Sequence, residues 1–345
     1  MEENENKRTE LTELGEFGLI SHLTSDIQLK NSSTECGIGD DAAVIDHGNL
    51  KTLVSVDVLV EGIHFDLTYC PLKHLGYKAA VCNFSDIYAM NGTPTQIVVG
   101  LAVSNRFSVE AIDELYSGIR LACDLYHVDL VGGDTTASAS GLFISITVIG
   151  QAPAEAIAYR NGAKPNEILC VSGDLGGAYA GLLVLEREKS EFSVNPNMQP
   201  ELNGYDYVLE RQLKPEARKD VVAKLKQVGV KPTSMIDISD GLASEILHLC
   251  QESKVGCQIY EERIPIAQAT AKVMKEFKLV PSIAALNGGE DYELLFTIAQ
   301  ADYDKVKDIP EISIIGHMTA DAGNAVLIAN DETVVPITAQ GWRHF

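Results

Sequence analysis

The chain has 345 residues, of which 46% are hydrophobic and 22% charged, and its formal net charge is −22. This length predicts two domains, or one large one, with ample core. So acidic a chain repels a phosphate backbone, which argues against nucleic acid as a partner, and no stretch is long and apolar enough to span a membrane.

Residues 11–30 predict a helix, with Leu14, Phe17, Leu19, Ile20 and Leu23 at helical spacing. The polar residues before it, Met1-Glu2-Glu3-Asn4, carry no apolar signal core. After a glycine loop at 37–39, residues 42–45 and 52–58 predict a hairpin turning at His47-Gly48-Asn49. Helices are expected at 72–90 and 108–126, the second capped by Ser108. Strands are expected at 96–103, 128–131 and 142–149. Gln151-Ala152-Pro153 breaks the pattern, so the expected domains are 1–150 and 151–345. The second half predicts strands at 167–172, 234–238, near Gln258, and at 292–298, 312–315 and 325–328. Its helices are expected at 178–188, from Pro215 to 228 and at 241–251, with a surface loop over 189–203. Two α+β halves of similar size place a site between them. The seven cysteines are odd in number and show no Cys-x-x-Cys spacing, so buried free thiols in a reducing, cytoplasmic setting are expected.

Six clusters of aspartate and glycine run through the chain. They are Gly-Ile-Gly-Asp-Asp at 37–41, Ser-Val-Asp at 55–57, Asn-Phe-Ser-Asp at 83–86, Gly-Gly-Asp at 132–134, Asp-Ile-Ser-Asp-Gly at 237–241 and Gly-Gly-Glu-Asp-Tyr-Glu at 288–293. Asp57, Asp134 and Asp237 follow strand-like runs, and neighbouring strands deliver their ends side by side. Gathered carboxylates repel unless cations lie between them. Hard oxygen donors without a Cys or His cluster point to Mg2+, which commonly bridges to substrate phosphates. Each aspartate alone has a plainer reading, as a turn former or a cap on backbone amides. Asp41, Asp57, Asp86, Asp134, Asp237 and Asp240 together favour a metal site. Ser239 opens a helix, whose N-terminus favours phosphate. Arg160, near a glycine turn, has a surface-loop reading and a bidentate phosphate reading. Glu290, Asp291 and Glu293 read as a solvated turn, with alternation placing Glu293 outside. His64 reads as a satisfied structural residue and Trp342, the single tryptophan, as tail packing. Dinucleotide, Walker-type and protein-kinase signatures are missing from the sequence.

In this order the motifs resemble the thiamine-monophosphate kinases, of the aminoimidazole ribonucleotide synthetase-like ATP-binding superfamily. Gly-Glu-Phe at 15–17, Val-Glu-Gly-Ile-His-Phe at 60–65, Gly-Gly-Asp-Thr-Thr at 132–136 and Arg-Asn-Gly-Ala-Lys-Pro at 160–165 join the acidic clusters in carrying it. The resemblance implies an α+β fold of two domains. An N-terminal β-sheet and helix domain for dimerisation and ATP binding would precede a C-terminal α+β sandwich. It implies phosphorylation of thiamine monophosphate to thiamine diphosphate by a homodimer, with ATP as co-substrate and several Mg2+ per site. By position, Asp41, Ser55, Val56, Asp57, Asp86, Asp134, Asp237 and Asp240 match the family's metal contacts. Tyr116, Gly133, Asp134, Arg160 and Ser239 match its ATP contacts, and His64, Glu290 and Trp342 its substrate contacts. Val56 stands where Thr is common, and Asn166 where Gly is usual. No general base is implied, because a phosphate monoester is largely dianionic at neutral pH. Among sister enzymes, a selenophosphate synthetase would want a reactive Cys in a glycine-rich loop, and the hydrogenase-maturation dehydratase a C-terminal Cys. Aminoimidazole ribonucleotide synthetase fits the His64-Phe65 and Gly-Glu-Asp-Tyr-Glu contexts less well. A non-catalytic cation binder would give no reason for Arg160 and Ser239.

Overall fold

The computed structural model describes residues 34–36, 40–46 and 48–340. The expected helix at 11–30, the loop at 37–39 and Trp342 lie outside the described residues.

In the N-terminal part, strands β1 (Thr34–Cys36), β2 (Ala43–Asp46) and β3 (Leu50–Val60) precede helix α1 (Leu72–Ala89). Then come β4 (Thr93–Val103), α2 (Val109–Tyr126), β5 (Asp129–Ala137) and β6 (Leu142–Pro153). The six strands form one sheet in the order β1-β2-β3-β6-β4-β5. The expected hairpin is the antiparallel pair β2–β3. The chain's last strand here, β6, enters between β3 and β4, antiparallel to both, while β4 and β5 run parallel on either side of α2. Alternation selects the faces: Leu53, Leu59, Ile144, Ile146 and Val148 are buried, whereas Val56 and Val58 stand 55% and 53% exposed on the other side.

Helices α1 and α2 pack side by side against the buried face. Ser108 does cap α2, its hydroxyl accepting the Ala111 N–H at 3.3 Å. The two helices approach at Gly76 and Gly118. A Cβ on Gly76 would sit 1.9 Å from the Leu115 carbonyl oxygen, and one on Gly118 1.8 Å from that of Lys73. Helix α1 is buried on almost every side from Leu75 to Ala89, because it also meets the C-terminal part through Ser234–Asp237.

The C-terminal part contains β7 (Ile168–Ser172), α3 (Gly177–Val194), α4 (Asp206–Leu213), α5 (Lys219–Gln227), β8 (Ser234–Asp237), α6 (Leu242–Ser253) and β9 (Gly256–Tyr260). It continues with α7 (Gln268–Glu276), α8 (Pro281–Asn287), β10 (Leu294–Ile298), α9 (Tyr303–Val306), β11 (Ile312–Thr319), β12 (Ala325–Ile328) and β13 (Val334–Pro336). Its seven-stranded sheet has the order β13-β12-β9-β11-β7-β10-β8. The architecture is α+β in both parts, as expected. Residues 189–194, expected as loop, continue α3, and α4, α7, α8 and α9 were not expected. Asn166 takes φ 69, a left-handed backbone that Asn tolerates where Gly is usual.

Candidate active site

Three carboxylates from three separate elements converge where the two parts meet. Asp41, Asp86 and Asp237 each offer an oxygen, and these oxygens lie within 4.8 Å of one another. Asp41 precedes β2, Asp86 lies in the last turns of α1, and Asp237 ends β8. Hydroxyls aim two of them: Ser55 donates to Asp86 Oδ2 at 2.6 Å, and Ser85 donates to Asp237 Oδ2 at 2.6 Å. Asn83 donates to the Ala79 carbonyl at 3.0 Å and accepts the Asp57 N–H at 3.2 Å, which fixes β3 against α1. Arg160 closes the group. Its Nε donates to Asp41 Oδ2 at 3.3 Å, its terminal nitrogen pairs with Asp41 Oδ1, and its backbone N–H donates to Asp40 Oδ2 at 3.0 Å.

The cluster is electrostatically frustrated. Burial, then the Asp41 charge, pushes Asp57 up to about 6. The same two causes, opposed by Arg160, lift Asp40 to about 7. Burial and Asp41 raise Asp237 to about 8, against the pull of Ser85 and Arg160. Asp86 goes well above its usual value, through burial and then Asp57, Asp237 and Asp41. Carboxylates that are costly to ionise together, aimed by hydroxyls and built only of hard oxygens, fit a divalent cation of the Mg2+ type.

A second polar group lies around the Gly-Gly-Glu-Asp-Tyr-Glu turn. Glu290 is paired with Lys78 of α1 at 2.7 Å. Burial disfavours the Lys78 charge, but Glu290, together with Cys82 and Cys70, outweighs this and raises its pKa. Asp291 is fully buried and accepts the Gly176 and Ala178 N–H groups at 2.6 and 3.3 Å, which caps the start of α3. Glu293 is 1% exposed and bridges Arg211, at 2.9 Å, to Arg218. This corrects the outward placement: β10, just beyond it, is buried on both faces, so alternation there does not separate wet from dry.

Two models match the chain: the AIR synthase related protein N-terminal domain over residues 39–152, and the corresponding C-terminal domain over 164–329. The thiamine-monophosphate kinase of Bacillus subtilis is 35% identical over 340 residues, covering 96% of this chain and 100% of its own. That of Aquifex aeolicus is 33% identical, with coverages of 97% and 99%. A solved structure, AaThiL complexed with AMPPCP and TMP, is 30% identical, covers 98% of this chain and 99% of that chain, and has a TM-score of 0.84. The chain belongs to the thiamine-monophosphate kinase family.

Set against the positions matched to that family, the structure brings Asp41, Ser55, Asp57, Asp86, Asp237 and Arg160 together. Val56 turns its side chain away to the exposed face. Ser239 and Asp240 sit beside them at the entry to α6, where the Asp240 N–H donates to Glu245 Oε1 at 2.9 Å. Asp134 stands apart. Asp57 pairs with Ile146, Ile146 with Val99 and Val99 with Gly133, so Gly133 lies three strands from Asp57. That separation is roughly 14 Å. Tyr116, Gly133 and Asp134 line an open cleft of about 540 Å³ along β5. Asp134 also accepts its neighbour Thr135's N–H at 2.9 Å, the plainer role. His64 Nδ1 accepts the Val60 N–H at 3.0 Å, a structural contact for that nitrogen. The residues sequence reasoning missed are Asp40, Lys78, Asn83, Ser85, Gln212 and Glu245. Asn83 and Ser85 lie inside the Asn-Phe-Ser-Asp cluster and were visible there. Lys78 left one sign, a lysine in an otherwise apolar helical run.

Proposed function

We propose that this protein transfers the γ-phosphoryl group of ATP to thiamine monophosphate, giving thiamine diphosphate and ADP by direct in-line attack. The single observation that carries the reading is the convergence of Asp41, Asp86 and Asp237 beside Arg160. An acidic pocket repels two phosphate-bearing substrates unless cations intervene, and members of this family carry the kinase's name.

An oxygen of the monoester is the nucleophile; it forms the new P–O bond as the bond to the ADP oxygen breaks. With a second pKa near 6 the monoester is already dianionic, so no side chain need take a proton. Asp41, Asp57, Asp86, Asp237 and Asp240, with Ser55 and the Val56 backbone oxygen, would hold Mg2+, with Asp134 holding a further ion at the cleft. When bound, Mg2+ neutralises the phosphates and aligns them. Arg160 offers a fork for phosphate oxygens once cations compete for Asp41. Ser239 holds phosphate at the α6 N-terminus. Tyr116, Gly133 and Asp134 take the nucleotide in their cleft, while His64, Glu290 and Trp342 take thiamine monophosphate.

Residues 1–150 and 151–345 are read as the two domains. A homodimer forms through the N-terminal sheet, whose unpacked face carries Val56 and Val58 with half-buried Val54, Val98, Phe143 and Ile149. No described helix is long and apolar enough to cross a membrane, and we place the enzyme in the cytoplasm, where ATP is supplied. ADP release in a coupled assay with Mg2+, ATP and thiamine monophosphate tests the function. Turnover of thiamine in place of its monophosphate, or of neither, would overturn it. Nucleotide binding should require more than one Mg2+ per site, and tight binding in excess chelator would contradict that.

A further inference from the structure

Glu290 is held by both of its oxygens. Lys78 Nζ lies 2.7 Å from Oε1, and Gln212 Nε2 donates to Oε2 at 2.7 Å. Lys78 Nζ also donates to the Gln212 carbonyl oxygen at 3.1 Å, which closes a ring of three residues. These residues come from α1, α4 and the loop before β10, so the ring joins the two halves of the chain. Lys78 and Gln212 are 3% and 6% exposed, whereas the Glu290 side chain keeps 30% of its surface open. Glu290 also sits at φ 66, a left-handed conformation that a non-glycine residue keeps only where its surroundings impose it.

Each carboxylate oxygen accepts through two lone pairs. The ring engages one on each oxygen and leaves the other. It also immobilises a side chain that would otherwise have to be ordered when ligand arrives. We infer that Lys78 and Gln212 are positioning residues for substrate recognition, aiming the remaining lone pairs of Glu290 at the N–H groups of a nitrogen heterocycle. Lys78 already balances the Glu290 charge. Selection at this point therefore rests on hydrogen-bond geometry more than on attraction between net charges.

This inference rests on the proposed function, in which Glu290 meets thiamine monophosphate. The test is steady-state ADP release by the full chain, varying each substrate, for wild type, Lys78→Met, Gln212→Ala, Glu290→Ala and the Lys78→Met/Glu290→Ala double variant. Lys78→Met should raise KM for thiamine monophosphate roughly 10-fold or more, the scale of a lost charged hydrogen bond. KM for ATP and kcat should stay within about twofold of wild type, and Gln212→Ala should act in the same direction by a smaller factor. In the Glu290→Ala background, Lys78→Met should add nothing, because its effect passes through that carboxylate. Three results would each overturn the inference: an unchanged KM for thiamine monophosphate, equal rises for both substrates, or the same rise with and without Glu290. Should Lys78→Met fail to fold, Gln212→Ala, which keeps the Lys78–Glu290 pair, decides the matter by the same comparisons, alone and combined with Glu290→Ala. Wild type that releases no ADP with thiamine monophosphate sinks the proposed function itself, a different outcome from an active enzyme indifferent to Lys78.

Discussion

Asp57 holds its carboxylate at a cost to the metal-free fold, since burial and the Asp41 charge both oppose its ionisation. Asp57→Asn should therefore lower kcat by at least about 100-fold, the scale on which one preorganised electrostatic group acts. Its melting temperature in chelator should equal or exceed that of wild type; a fall of several degrees would mark Asp57 as a fold residue instead. The candidate-site aspartates were legible because they fall in clusters with glycine, serine or asparagine, most of which follow or end an apolar run, where a carboxylate needs a reason. Lys78 was not, because its partners Glu290 and Gln212 come from distant segments and no local spacing connects them. The acidic turn was misread in two of three positions. Asp291 serves the α3 backbone and Glu293 serves two arginines, so only Glu290 remains open to a ligand.

Helix α1 explains how distant aspartates meet. Lys78, Cys82, Ser85 and Asp86 are spaced to share one helix face, and that face carries the contacts to Glu290, Asp237 and Ser55. Its seating depends on the glycine seam with α2. Gly118→Ala should cost roughly 1–3 kcal/mol by overpacking, because a methyl there meets the Lys73 carbonyl and cannot be accommodated by a rotamer change. Thermal unfolding followed by circular dichroism checks this, and turnover should fall with it as the site aspartates shift. The long strands of the first half were readable from their apolar runs, and α2 from its Ser108 cap. The missed elements α7 and α8 have no side-chain cap, and the polar end of α3 was taken for a loop. Glu and Lys are good helix formers, so polarity there reports exposure and not loss of helix.

For the molecule as a whole, the raised carboxylates set a pH dependence. Their folded pKa values, about 6 for Asp57, 7 for Asp40 and 8 for Asp237, exceed the usual unfolded value. The folded state then binds more protons than the unfolded one, and stability falls as pH rises through this window. In chelator the melting temperature should drop by at least about 3 °C between pH 5.5 and 8.5, on the usual conversion of free energy to temperature. Mg2+ should restore more of it at pH 8.5, where protons compete least for the oxygens. A melting temperature that climbs with pH in chelator would contradict this. At the same scale, the homodimer proposed above predicts that Val58→Asp on the exposed sheet face yields monomers by light scattering, since it would place a charge in that apolar contact.

The insertion of β6 between β3 and β4 has a consequence for how the chain is made. Residue 57 and the helix carrying residue 86 leave the ribosome early, but β3 and β4 are joined into one sheet only when residues 142–153 emerge. Asp237, later still, completes the pocket from the other sheet. On the proposed function, the cation meets a complete pocket only once Asp237 is in place. Added Mg2+ should slow unfolding while leaving the refolding rate unchanged, as stopped-flow traces with and without the ion can show.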